Sequence, residues 1–216
     1  MTDFAELRAE MVERQMAARG IRDPALLDAL RQVPREEFVA AEHRAQAYGD
    51  YPLPIGAGQT ISQPYIVALM IEAARIGAGQ RVLEVGAGSG YAAAVISRLA
   101  GQVIAIERKP ELAAGARERL ARLGFDNVVI VDGDGTRGWP QAAPYDAILA
   151  AASGSHVPQP LIDQLAPGGR LVMPVGSRGW SQKLVKLTRL ADGSTSREAL
   201  GEVRFVPLIG DQGWDE

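Results

Sequence analysis

The sequence predicts an α/β fold: a mostly parallel sheet with an antiparallel edge, preceded by N-terminal helices. Three observations lead there. Short β-type runs alternate with helical ones from residue 60 onward, as in successive βαβ units. The first of these runs ends in three alternate glycines, Gly86, Gly88 and Gly90, just before a helical stretch. The last two β-type runs, 183–190 and 202–208, flank Ala191-Asp192-Gly193-Ser194, which suits an antiparallel pair closing the sheet.

Composition sets the outer limits. A chain of 216 residues, 47% apolar and 23% charged, is read as a single domain, 1–216, with a sizeable core. A helical extension is expected over 1–45, a loop serving the site over 46–64, and the α/β core over 65–216. There are 23 Lys and Arg against 26 Asp and Glu, net −3, with no long basic tract; no nucleic-acid partner is expected. Cysteine is absent and the two histidines stand at 43 and 156, so no thiolate chemistry and no metal are expected. The polar start carries no secretory pattern, and no apolar run reaches the ~18 residues of a membrane span. The expectation is a cytoplasmic monomer with no membrane partner.

The elements follow in order. Phe4, Leu7, Met11 and Val12 recur at helical spacing, Asp3 and Glu6 resemble a capping box, and Gly20 ends the helix. Asp23-Pro24 opens a second helix carrying Leu26, Leu27, Leu30 and Val33, stopped by Pro34, with a short helix near Phe38. Residues 46–59 hold two Pro, three Gly and no periodicity, yet Tyr48, Tyr51, Leu53 and Ile55 can pack. This reads as a structured functional loop, a lid over the site with Asp50 as an anchor. Thr60-Ile61-Ser62-Gln63-Pro64 leads into a helix over 65–75. Strands are then expected at 81–85, 103–107, 128–131, 145–150 and 170–175. Helices are expected at 91–99, 111–123 and 161–165.

The chemistry begins at Val82-Leu-Glu-Val-Gly-Ala-Gly-Ser-Gly-Tyr91. Glycines let the backbone turn tightly and approach a ligand, and the helix beyond presents free N–H groups. A dinucleotide fingerprint counted from Gly86 needs a small residue where Tyr91 stands. The pattern E-x-G-x-G-x-G fits S-adenosylmethionine better. On that reading the fold is a Rossmann-like methyltransferase sheet. Gly86, Gly88, Ser89 and Gly90 cradle the amino-acid moiety, and Glu84 meets its ammonium. Glu107, 19 residues after Gly88, accepts the ribose hydroxyls, a role that nicotinamide cofactors would share. Asp134, preferred to Asp132, accepts from the adenine amino group beside Gly135; a plain Gly-Asp turn is the alternative.

After the fourth expected strand, Ala150-Ala-Ala-Ser-Gly-Ser-His-Val-Pro158 lacks the Asn/Asp-Pro-Pro-aromatic motif of amino methylation. Cytosine C5 methylation needs a cysteine the chain lacks. Segments over nearly the whole chain resemble the protein-L-isoaspartate O-methyltransferase family. They are Leu53–Pro64, Val82–Tyr91, Gly133–Gly135 with Gly138–Pro140, Pro144–Ala147, Gln164–Val172 with Pro174–Gly176, and Val203–Leu208. The Gly-Gln-Thr-Ile-Ser-x-Pro run is the family-specific one. The resemblance implies methyl transfer from S-adenosylmethionine, giving S-adenosylhomocysteine, to the free α-carboxylate of L-isoaspartyl residues in damaged proteins and peptides. The ester then collapses to a succinimide, which begins repair. It also implies an active-site role for Ser62, a substrate-binding role for Thr60, Ile61 and Ser62, and a peptide site bordered by 203–208.

Ser62 or Gln63 ahead of Pro64 is equally a good helix N-cap. The acceptor carboxylate, whose ordinary pKa is ~3.9, is already ionised at neutral pH and needs no general base. Ser62 is therefore read as orienting that carboxylate by a hydrogen bond. His43 and His156 are read as surface or loop residues, Trp139 and Tyr145 as packing. One departure from the family stands at Ser153-Gly154-Ser155-His156, with Ser155 where proline is usual. It supports an alternative: a protein that binds S-adenosylmethionine but acts on another carboxylate or is inactive. A nicotinamide oxidoreductase and a small-molecule or RNA methyltransferase are the remaining alternatives.

Overall fold

The computed structural model describes residues 2–215; Met1 and Glu216 lie outside the described residues. Helix α1 (Phe4–Met11) starts as its sequence dictates, with the Asp3 carboxylate accepting the N–H groups of Ala5 and Glu6. It continues as a π turn and a 3-10 turn and ends at Gly20, whose φ is +102°. Helix α2 (Pro24–Gln32) has Pro24 in its first turn, and Asp23 caps the N–H groups of Ala25 and Leu26. Two 3-10 turns, Arg35–Phe38 and Ala41–Gln46, take the place of the short helix.

The 46–64 loop contains regular structure that its sequence does not announce. Strands β1 (Leu53–Gly56) and β2 (Gln59–Ile61) form an antiparallel hairpin. Its turn, Ala57-Gly58, has φ of +51° and +72°. Tight hairpin turns of this kind favour Asn or Asp at the first position; alanine there, and the lack of apolar alternation, hide the hairpin.

The remaining elements are α3 (Pro64–Ala74), β3 (Arg81–Val85), α4 (Tyr91–Ser97), β4 (Gln102–Glu107), α5 (Pro110–Arg122), β5 (Val128–Asp132), β6 (Tyr145–Ala150), α6 (Gln159–Asp163), β7 (Leu165–Val175), β8 (Gln182–Arg189) and β9 (Thr195–Val203). The seven-stranded sheet has the order β5-β4-β3-β6-β7-β8-β9. Strands β5 to β7 in that order are parallel, and β8 and β9 add antiparallel. The chain steps outward from β3 through β4 to β5, then β6 returns on the other side of β3. The crevice where ligands bind in such sheets therefore opens between β3 and β6.

Each sheet face carries its own apolar layer. Val82, Val103 and Ala105 face α3, α4 and the N-terminal helices, so Met11, Met16, Leu26 and Leu30 join that layer. Leu83, Val85, Ile104, Ile106 and Ile148 face the other way, toward Leu161 of α6.

Three boundaries need correction. The final strand is Thr195–Val203, not 202–208. Most of its residues are exposed, so it shows no apolar alternation; the tight turn with Leu190 N–H on the Ser194 carbonyl fixes it instead. Residues 204–208 leave the sheet and cross its carboxyl end, where the Ser153 N–H donates to Val206 and the Leu208 N–H donates to Ser153. The sixth helix occupies Gln159–Asp163 rather than 161–165, and β7 begins at Leu165 rather than Arg170, because Ala166-Pro-Gly-Gly169 masks its first half.

Candidate active site

At the carboxyl ends of β3, β4 and β6 lies a cavity. The glycine turn forms its floor. Gly86 and Ala87 donate their N–H groups to the Ile106 carbonyl at 2.9 and 3.0 Å. Gly88 donates to Glu107 Oε2 at 2.8 Å, and Glu107 Oε1 accepts from the Lys109 N–H at 3.0 Å. Each oxygen keeps acceptor capacity, so Glu107 can hold the turn and still receive a diol. Gly88 has φ +54°, and a Cβ there would stand 3.1 Å from Ile55 Cδ1. The β1–β2 hairpin thus sits directly over the turn.

Glu84 lies on β3 and lines the same cavity, 2% exposed. Its Oε2 has no hydrogen-bond partner among the described residues. Burial, with the Glu107 charge adding to it, pushes its carboxyl up to about 8. A buried orphan acceptor facing a cavity calls for a cationic donor, and the ammonium of S-adenosylmethionine is one. The glycine cradle and the Glu107 oxygens fit the rest of that cofactor. Bound there, it supplies an electrophilic methyl group on a sulfonium.

Thr60, Ile61, Ser62, Gly86, Gly88, Ser89, Glu107 and Gly135 all line this cavity with Glu84. Two expected cofactor residues do not. Gly90 turns away, and a Cβ on it would meet Leu120 Cδ1 at 3.2 Å and Ala116 Cβ at 3.4 Å; its lack of a side chain serves α4–α5 packing. Asp134 is also outside the lining. Its Oδ1 accepts from the Thr136 N–H and hydroxyl, and its Oδ2 accepts from the Asp211 N–H at 2.8 Å. Those bonds hold its carboxyl below the usual carboxylate range against partial burial, which pushes the other way. The side chain braces the C-terminal segment.

A second groove opens outward beside the first, lined by Pro52, Gln63 and Ile66 on one flank and Glu202–Phe205 on the other. Thr60, Ser62, Ala151 and Val206 belong to both cavities. The Ser62 hydroxyl takes no hydrogen bond among the described residues. The capping role falls elsewhere: Asp50 Oδ1 accepts the Tyr65 N–H at 3.2 Å and Oδ2 accepts from Gln63 Nε2 at 2.7 Å. Arg19 pairs with Asp50 and lies 3.5 Å above the centre of the Tyr65 ring.

The unusual 153–156 segment does not reach either cavity with Ser155 or His156, which are exposed and meet each other at 3.0 Å. Ser153 is buried, and its carbonyl accepts from Trp214 Nε1 and the Leu208 N–H. Sequence reasoning missed the cavity residues Lys109, Ala152 and Ile209. Only their nearness to motif residues marks them. Among the described residues no group of three His, Asp or Glu side chains is placed to hold a metal ion, and no helix is long and apolar enough to cross a membrane.

Fold and site together define an S-adenosylmethionine-dependent methyltransferase. A family model described as protein-L-isoaspartate(D-aspartate) O-methyltransferase matches residues 6–213, and the chain belongs to that family. Protein-L-isoaspartate O-methyltransferase 1 of Rhodopseudomonas palustris (strain HaA2) is 60% identical over 213 residues, 99% of this chain and 87% of that one. The Methylorubrum populi protein-L-isoaspartate O-methyltransferase is 59% identical, over 97% of each chain. A solved protein-L-isoaspartate O-methyltransferase superposes with a TM-score of 0.86 at 31% identity, covering 95% of this chain and 67% of that one. A Plasmodium falciparum chain provisionally described by the same activity, solved with S-adenosyl-L-homocysteine, gives 0.81 at 27% identity over 94% and 98%.

Proposed function

We propose that this chain methylates the free α-carboxylate of L-isoaspartyl residues in damaged proteins and peptides, as a cytoplasmic monomer without nucleic-acid or membrane partners. One observation carries the reading: Ser62, with Thr60, Ala151 and Val206, forms the wall shared by the cofactor cavity and the outer groove. A carboxylate entering from the groove meets a hydroxyl that no neighbour has claimed. Ser62 orients that carboxylate by donating a hydrogen bond, with Thr60 and Ile61 shaping the pocket. Glu84 holds the cofactor ammonium, the Gly86–Ser89 backbone its amino-acid moiety, Glu107 its ribose and Gly135 its base.

No residue has to move a proton, because the acceptor is an anion at neutral pH. An oxygen–methyl bond forms as the methyl–sulfur bond breaks, and opposite charges are annihilated. An enclosed cleft favours such a step. The protein contributes alignment, worth up to ~7–11 kcal/mol in well-ordered cases.

The test uses two peptides that differ only in an isoaspartyl or a normal aspartyl linkage, with methyl-labelled cofactor. Base-labile label on the isoaspartyl peptide alone is expected. Label on neither, with cofactor binding confirmed, overturns the proposal.

A further inference from the structure

Behind Ser62 lies a buried charge that the reaction above leaves unused. Arg35, in the 3-10 turn Arg35–Phe38, is 0% exposed. Its Nε donates to the Ala47 carbonyl at 2.8 Å and its Nη2 to the Ser62 carbonyl at 2.7 Å. Nη1 has no acceptor in hydrogen-bond geometry, and no carboxylate among the described residues lies within ion-pair distance. The guanidinium carbon sits 4.7 Å from the centre of the Tyr91 ring. Tyr91 follows the glycine turn, lines the cofactor cavity and has a buried hydroxyl that also lacks a partner in hydrogen-bond geometry.

A guanidinium stays protonated in proteins, and a buried charge without a counter-ion is among the costliest groups to fold around. An apolar residue of similar size would fill the space more cheaply. Its two carbonyl acceptors and its ring contact show what the charge does. It grips the substrate loop at Ser62 and Ala47 and the cofactor side at Tyr91. Holding the Ser62 carbonyl restrains the backbone at Ser62 and so the direction in which its Cβ carries the hydroxyl.

We propose that Arg35 is a positioning residue for methyl transfer, clamping the Ser62 carbonyl against the Tyr91 ring so that the Ser62 hydroxyl is held in register with the cofactor cavity. This rests on the reading of Ser62 as the group that orients the acceptor.

A neighbouring, partly buried charge cluster provides the control. Arg8 donates to Tyr48 at 2.8 Å and to Glu36 at 3.0 Å, and Tyr48 donates to Glu36. That network ties α1 to the same turn without touching Ser62. Arg35→Lys, Arg35→Met, Arg8→Met, Ser62→Ala and the Arg35–Ser62 double variants are compared by melting temperature, S-adenosylhomocysteine affinity, and kcat and KM on the isoaspartyl peptide. Arg35→Met is expected to lower kcat about ten- to a hundredfold, the scale of a misplacement near 1 Å, with cofactor affinity within about threefold. Arg35→Lys recovers part of the rate, because an ammonium can reach a carbonyl but lacks the planar fork. In the Ser62→Ala background the same change costs less than about threefold, since the group it positions is gone. Arg8→Met lowers the melting temperature while kcat stays near its starting value.

Equal kcat losses from Arg35 substitution with and without the Ser62 hydroxyl overturn the clamp and leave the role of Ser62 standing. Wild-type kcat in both Arg35 variants also overturns it. Full turnover in Ser62→Ala removes the underlying reading, and the clamp with it. If Arg35→Met does not fold, the Arg35→Lys cycle decides by the same non-additivity.

Discussion

Asp50 Oδ1 accepts the backbone N–H of Tyr65 at 3.2 Å, so a carboxylate fifteen residues upstream caps helix α3 in place of Ser62. The N-cap position itself, Gln63, makes no side-chain capping bond. Ser62 is thereby released from a structural duty that its sequence position suggests, and its hydroxyl stays free for a ligand.

The division of labour is testable by stability. Asp50→Ala removes a cap and the Arg19 ion pair and is expected to cost about 1–2 kcal/mol. For a chain of this size that is a fall of about 2–8 °C in melting temperature. Ser62→Ala is expected to leave the melting temperature nearly unchanged, because the hydroxyl holds no other part of the fold, while lowering turnover and sparing cofactor binding. A clear thermal loss in Ser62→Ala would return the capping role to serine.

Glu84 sets a pH dependence whose sign runs opposite to that of most carboxylates. Its pKa is about 8 in the folded protein against 4.5 for the free group. Between those values the folded state binds more protons than the unfolded one, so this group's contribution to stability is complete below about 4.5 and is lost as pH rises through about 8. A bound ammonium reverses the preference for the neutral acid. S-adenosylhomocysteine affinity is therefore expected to rise with pH until about 8 and then level. Calorimetry at neutral pH in buffers of different ionisation enthalpy should register proton release on binding. In Glu84→Gln the rise should vanish and affinity fall. An unchanged pH profile in that variant would place the titration elsewhere.

The glycines of the turn are expected to separate into two kinds. Gly90→Ala forces a left-handed φ of +86° on a residue whose Cβ meets α5, so it should destabilise the protein by about 1–3 kcal/mol. Gly88→Ala carries the same backbone strain, but its Cβ meets only the far end of the Ile55 side chain on the hairpin. Its larger effect should be on cofactor affinity, by crowding the cavity floor. Melting temperature and S-adenosylhomocysteine affinity, measured on both, distinguish the two; equal losses of affinity would put Gly90 back in the ligand contact.

The parallel half of the fold is legible because buried strands such as Val103–Glu107 read as apolar runs bounded by turns. The hairpin at Leu53–Ile61 is not, because Ala57 in a left-handed conformation leaves no turn signal. Strand β9 is hard to place because an exposed edge needs no apolar face. At the site, Glu84, Glu107 and the glycines are readable from spacing along one βαβ unit. The same logic fails for Asp134, because its partners, Asp211 and Thr136, are a long-range pairing and a local turn that spacing does not encode. Arg35 has no signal at all: one arginine in Val33-Pro-Arg-Glu-Glu-Phe38 looks like any surface charge, and only the tertiary fold buries it.

Asp134 supplies the last prediction. Its Oδ2 holds the Asp211 N–H, and Arg137 pairs with the Asp211 carboxylate. The segment they anchor carries Pro207, Leu208 and Ile209 into the cofactor cavity wall and runs on to Trp214, whose indole donates to the Ser153 carbonyl at 2.9 Å. Gly210 lies so close that a Cβ there would overlap the Asp134 carboxylate. The segment behaves as a strap across one side of the cavity. Asp134→Ala should loosen it, speed S-adenosylhomocysteine release several-fold in stopped-flow displacement, and shift Trp214 emission toward that of a solvent-exposed indole. Gly210→Ala should do the same by pushing the carboxylate aside. If Asp134 instead held the adenine directly, Asp134→Ala would weaken affinity with Trp214 emission unchanged, and Gly210→Ala would leave the strap in place.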